Sequence, residues 1–363
     1  MHPNMSKYKP DWQDARDRMI AWWAGEKTDR VPAHVSAPVK PAKPSVATVC
    51  EDVPAKYTDP GTVLRNMEYR LEHTFWGGEM FPTHRVYFGP MFGLAYLGCE
   101  PNFTLNTTWY EPCLRDWSEL PSIKFDQNNR WWQLSKEMMR LSAERAEGRW
   151  LVTRSAIILA LMDMICGLLG NEKTLMAMMD QPEAIKAARD RMMPWARRTY
   201  DESYDILHRY QEDSIDGMQI WASRHVNTSQ CDMSAMISPE MFRDFVVPEL
   251  TDIYNHVDYG IYHMDGPEQI RHLDELLKIE KLHLIQWQPG TRMNDPGHRD
   301  PLNWLDLFKR IQAAGKKVLI YCPPERVRPL LDKIARDRVF LGVGCQDEQT
   351  ARNVLRELDS IGI

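Results

Sequence analysis

Residues 260–358 decide the fold. They read GIYHMDG (260–266), PEQIRHLDELLK (267–278), KLHLIQWQ (281–288), LNWLDLFKRIQAAG (302–315), KKVLIYC (316–322), ERVRPLLDKIA (325–335), RVFLGVGC (338–345) and DEQTARNVLREL (347–358). Short apolar runs rich in β-branched residues alternate four times with amphipathic stretches, and the connections are short. That alternation is the signature of βαβ units and a parallel sheet.

Upstream the same rhythm continues less regularly. RWLVTRSA (149–156) and DGMQIWA (216–222) read as strands, with helices over 130–147, 160–169, 171–179 and 183–211. Ser238-Pro239-Glu240 opens a further helix, with Ser as N-cap, Pro at the first helical position and Glu near the positive end of the dipole. Residues 11–25 form an amphipathic helix and VPAHVSA (31–37) a short strand. A helix over 61–75 and a strand near 84–89 follow, then a β-rich insertion over 103–125. The expected fold is α/β: a (β/α)8 barrel with an N-terminal extension and lid-like insertions. It makes one domain overall, with residues 1–60 supplying the helix, first strand and a Pro-rich lid, and residues 61–363 the barrel.

Composition sets the outer limits. The chain has 363 residues, 43% hydrophobic and 26% charged, with net charge −6, as in an ordinary globular protein without a nucleic-acid footprint. It has no run of 18 apolar residues and no signal-peptide pattern, so a cytoplasmic, non-membrane protein is expected. Its 7 cysteines then read as reduced thiols. The 13 Trp and 21 Met fill the core or line a pocket. Neither G-x-G-x-x-G nor a P-loop follows any strand, which argues against nicotinamide or nucleoside-triphosphate chemistry.

In a barrel the chemistry gathers where strands end. Those ends deliver Arg154; Trp221, Arg224 and His225; His263 and Asp265; Gln286 and Trp287; and Cys345, with Asp232 ahead of the Ser-Pro-Glu helix. His263, Asp265 and Cys345 make a three-ligand zinc set that leaves a fourth position open. The same residues also read as a hydrogen-bonded His–Asp pair and a buried small apolar side chain. Arg154 and Arg224 suit a substrate carboxylate. Trp221, Trp287, Gln286 and His225 are candidate pocket walls, and Glu79, after Gly77-Gly78, is a further candidate at the mouth.

DMSAMISPEMFRDFVVP (232–248) is similar to the Asp…Ser-Pro-Glu-x-Phe…Pro stretch of the uroporphyrinogen decarboxylase-like superfamily. Gly170-Asn171-Glu172 and Asp180-Gln181-Pro182-Glu183 resemble its Gly-x-Glu…Pro-Glu pair. Tyr262-His263-Met264-Asp265-Gly266 and Gly342-Val343-Gly344-Cys345 fall where its zinc methyltransferases carry His-x-Cys-Gly and a final Cys. The resemblance covers residues 60–360. It implies a demethylating methyltransferase that moves a methyl group from a small methoxy-type substrate to a separate corrinoid protein, with zinc at His263, Asp265 and Cys345. Asp265 replaces the family's thiolate, which shifts the site toward oxygen ligands. TDRVPAHVS (28–36) offers one Arg, too few for a tetrapyrrole decarboxylase. The alternatives are a metal-free lyase with Asp265 or Asp232 as acid/base, and a barrel that only binds a small molecule. A homodimer is a further expectation.

Overall fold

The computed structural model describes residues 4–40, 49–154, 160–290 and 296–363. The protein is a mixed α/β structure around a mostly parallel sheet of seven strands: β1 (Ala33–Pro38), β2 (Thr74–Gly78), β3 (Val226–Ser229), β4 (Tyr259–Asp265), β5 (Leu282–Gln288), β6 (Lys317–Tyr321) and β7 (Val339–Gly344). Their order across the sheet is β2-β1-β7-β6-β5-β4-β3. Only β2 runs antiparallel to its neighbour, pairing His34 with Gly78. A separate parallel pair joins Thr83–His84 to Leu151–Val152. These two-residue strands are shorter than the runs expected near 84–89 and over 149–156, part of which lies outside the described residues.

Strand alternation gives the sheet two faces. Val35, Tyr262, Met264, Ile285, Trp287, Ile320 and Val343 lie in the large core beneath the helices. Ile261, Leu284, Leu319 and Phe340 point the other way, into a second core. That core also holds Leu151 and Val226, and is plugged by the helix Trp12–Ala24 through Trp22 and Trp23. Trp22 meets Phe340 edge-on with ring centroids 5.5 Å apart, and the Trp23 indole N–H donates to the Trp221 carbonyl at 2.8 Å. The plug sits at the strand starts and leaves their ends free.

Helix termini follow the sequence. Ser238 accepts from the Met241 N–H at 3.2 Å, as an N-cap should. Asn129 caps Arg130–Ala146, accepting from Trp131 at 2.9 Å and Trp132 at 3.2 Å. The Pro-rich segment contains a short helix, Val53–Thr58, capped by Asp52. Its residues 41–48, at the centre of the expected lid, lie outside the described residues.

One expected strand is different. Over 214–222 the chain forms a tight antiparallel pair, Ser214–Ile215 with Trp221–Ala222, and the strand that joins the sheet is β3. The polar sequence VNTS carries little apolar signal, whereas IWA belongs to the plugged core. The correction moves the strand end from Trp221 to Ser229.

Candidate active site

The ends of β3 and β4 meet around Asp232. Three cavities share its side chain. One, of about 250 Å³, is lined by Arg85, Arg154, Asp216, Thr228 and Ser229. A second, of about 320 Å³, adds Asp265, Glu268, Gln269 and His298. A third, of about 580 Å³, adds Trp109, Tyr110, Asp163, Cys166 and Met236.

Asp163 sets the geometry. It lies in the first turn of the helix Leu161–Leu169, fully enclosed. Its carboxylate accepts from the backbone N–H of Asp232 at 2.9 Å and of Met233 at 3.0 Å, which fixes the loop presenting Asp232. Burial, and then the charge of Asp232, push the Asp163 carboxyl up to about 7, against the pull of those two N–H groups. Burial likewise raises Asp232; nearby Asp265 adds to the shift and His263 opposes it. Asp163 is enclosed and Asp232 is open to solvent at the cavity wall; both carboxyls are raised above the ordinary carboxylate value, the direction a general acid needs.

Gln269 locks the opposite side. Its amide donates to the Cys231 carbonyl at 3.1 Å, and its Oε1 accepts from the Asp265 N–H at 3.3 Å. The end of β4 is thereby tied to the Asp232 loop. Asp216, also buried, accepts from the backbone N–H groups of Met218 at 3.0 Å and Ile220 at 2.7 Å and from the Thr228 hydroxyl. It shapes the Gly217–Met218 turn that lines the first cavity.

Arg154 donates to the Val226 carbonyl and lies 4.2 Å over the Tyr200 ring. Its Nε has no partner among the described residues. Arg85 stacks on Tyr87 at 4.3 Å and forms no carboxylate ion pair among them. Both guanidiniums therefore place positive charge in the cavity that Asp232 shares.

The same face of β1 delivers His34, only 7% exposed, to a cavity of about 370 Å³ with Ser36, Arg85, Tyr321, Gly342 and Gly344. Gly342 is required there, because a Cβ would stand 2.2 Å from the Tyr321 ring. Burial lowers the His34 imidazole to about 3, keeping it neutral. Its other nitrogen is held by the Gln219 backbone, and Nε2 is left without a partner among the described residues.

Several expected site residues are placed elsewhere. Trp221 is buried in the plug and stacks on Phe81, ring centroids 5.7 Å apart. Arg224 and His225 precede β3, at its start, where Asp258 stands 3.9 Å from Arg224 and 3.2 Å from His225. Glu79 is fully buried at the start of β1, bound by Arg18 at 2.6 Å, Arg30 at 3.0 Å and the Ala33 N–H at 2.6 Å. Gly78 makes that approach possible: its φ is +63° and a Cβ would meet the Ala33 carbonyl at 2.1 Å. Gln286 is buried and touches His263 Nδ1, but Trp287, one residue on, faces the helices and packs on Trp304 with centroids 4.9 Å apart.

His263 and Asp265 share one strand face, and both stand near Asp232. Cys345 does not join them. One residue beyond β7, it packs with Val343 in the core under the helices, close to Cys322. Among the described residues no three His, Cys, Asp or Glu side chains are grouped to hold a metal, so this arrangement does not fit a zinc held by His263, Asp265 and Cys345.

Asp163, Gln269, Asp216, Arg85 and His34 were not among the expected site residues. The lone acid in ALMDMICGLL (160–169) was a readable signal, since a carboxyl amid apolar neighbours needs partners.

No helix among the described residues is long and apolar enough to cross a membrane. The sequence matches no protein-family profile and no curated protein. The fold is similar to that of a solved methyltransferase from Methanosarcina mazei, with a TM-score of 0.61 over 96% of this chain and 98% of that one at 12% identity, so the likeness is one of fold.

Proposed function

We propose that this chain is a (β/α)8-barrel enzyme of the uroporphyrinogen decarboxylase-like superfamily that removes a methyl group from a small methoxy-type substrate, with Asp232 as proton donor. Closure of the barrel is supported by the second core, to which Leu151, Val226, Ile261, Leu284, Leu319 and Phe340 each contribute from a different strand. The observation carrying the function is the Asp163–Asp232 pair on one cavity wall, where both carboxyls are raised above the ordinary value. As the C–O bond breaks, the oxygen keeps the bonding electron pair and takes the Asp232 proton, leaving as a neutral alcohol. The methyl group passes to a nucleophile, for which a corrinoid on a separate protein is the proposed carrier. Asp163 holds the Asp232 loop in place, and Arg85 and Arg154 orient the substrate.

Asp232→Asn should slow demethylation of a methoxy substrate by about 10²-fold or more, the usual worth of a positioned general acid. Full turnover in that variant, together with stoichiometric zinc that is lost in Cys345→Ser, would transfer the role to a metal.

A second reading is a lyase or decarboxylase with the same proton donor. Arg85 and Arg154 favour it, since both line the cavity and neither forms a close carboxylate ion pair among the described residues, the Arg154 charge acting on Asp216 from further off. Carbon dioxide release without methyl transfer would decide for it.

A further inference from the structure

The segment 99–113 carries a feature that the proposed chemistry does not use. Cys99 and Cys113 bring their sulfurs to 2.7 Å across the base of this loop. Cys99 is 2% exposed and anchored by its N–H on the Leu94 carbonyl at 3.1 Å, whereas Cys113 faces solvent. Between them runs a small hairpin, Asn102–Phe103 paired with Thr108–Trp109. Beyond the hairpin, Tyr110 and Pro112, with Trp109, wall the cavity that also holds Asp163 and Asp232. We infer that Cys99 and Cys113 form a reversible thiol–disulfide site that pins this wall of the acid pair's cavity.

The oxidant is a low-molecular-mass disulfide. The Cys113 thiolate attacks one of its sulfurs, forming a mixed disulfide and expelling one small thiolate. Cys99 then gives its proton to solvent and attacks the Cys113 sulfur, expelling the second small thiolate. Two protein thiols are oxidised and one small disulfide becomes two thiols. Excess small thiol reverses both steps. Cys113 is equipped to start: its hydrogen bond from Cys99 brings the thiol down to about 7, so thiolate is plentiful at neutral pH. The other close pair is not so equipped. Cys322 and Cys345 are both buried, and burial raises both thiols.

The test uses the full chain under native conditions. The protein is incubated with oxidised glutathione, denatured, alkylated and mapped by peptide mass. The expected product is one peptide pair joined through Cys99 and Cys113, with Cys322 and Cys345 alkylated. Amide hydrogen exchange over 102–110 should slow on oxidation and recover with excess thiol. Cys113→Ser and Cys99→Ala should each abolish the link and the exchange change. A stable glutathione adduct on Cys113 without the internal link overturns the proposal. So does a link that leaves exchange over 102–110 unchanged.

Discussion

The backbone N–H of Asp232 donates to Oδ2 of Asp163 at 2.9 Å, so the carboxyl that holds the loop also stands beside the carboxyl the loop presents. The contact sets position, while burial and the neighbouring charge outweigh it and keep the Asp163 carboxyl raised. Removing either side chain should therefore change both the loop and the titration of its partner.

Stability should report the buried acid. The folded-state value of Asp163, about 7, lies above its unfolded value of 3.8. Between those values the unfolded state has already lost the proton that the folded state keeps, so this group's stabilisation is full at low pH and is lost as pH rises to 7. Denaturant melts of wild type and Asp163→Asn at pH 4 and pH 7.5 should differ in their pH dependence by on the order of 3 kcal/mol, the wild type losing more stability as pH rises. Parallel pH profiles would refute the raised titration.

Turnover should fall on the alkaline side as Asp232 loses its proton. Asp265 raises that proton's pKa and His263 lowers it. Asp265→Asn should accordingly move the alkaline limb to lower pH, and His263→Gln should move it to higher pH. Shifts in the same direction would show that Asp232 is not the titrating group.

The Glu79 cluster should affect folding without touching chemistry. Glu79→Gln leaves Arg18 and Arg30 without their shared charge in a buried site, at a cost of roughly 3–5 kcal/mol. Denaturant unfolding should show that loss, while KM of the folded fraction stays at the wild-type value, because the cluster sits at the strand starts.

His34 should affect both the cavity and folding. It lines the cavity of about 370 Å³, its enclosed Nε2 has no partner among the described residues, and its other nitrogen is held by the Gln219 backbone. In His34→Leu, KM should rise about tenfold, the worth of one hydrogen bond of ~1.4 kcal/mol. Loss of the Gln219 contact should also lower stability by about 1 kcal/mol. An unchanged KM would separate His34 from the substrate.

The last third of the fold was legible because each strand there is a clear apolar run and each helix has a strong stripe. β3 was not, since VNTS is short and polar, and its misplacement carried Trp221, Arg224 and His225 to the wrong end. Glu79 misled for a different reason: its partners Arg18 and Arg30 lie 61 and 49 residues away, beyond local pattern. His263 and Asp265 share a strand face by simple alternation. Cys345 lies one residue beyond β7 and packs in the core beside Val343 and Cys322, a placement its spacing did not carry.

The first strand of the sheet also pairs with the last. Ala33 lies in register with Leu341, and the Cys345 N–H donates to the Ser36 carbonyl at 2.7 Å. Arg30 and Asp359 then tie the two ends together at 3.1 Å. On the ribosome, β1 emerges before every other strand of the sheet yet has no parallel neighbour until residues 339–344 are translated. The nascent chain must keep this apolar segment from straying while all the strands between are made, and its sheet is completed only with the last of them.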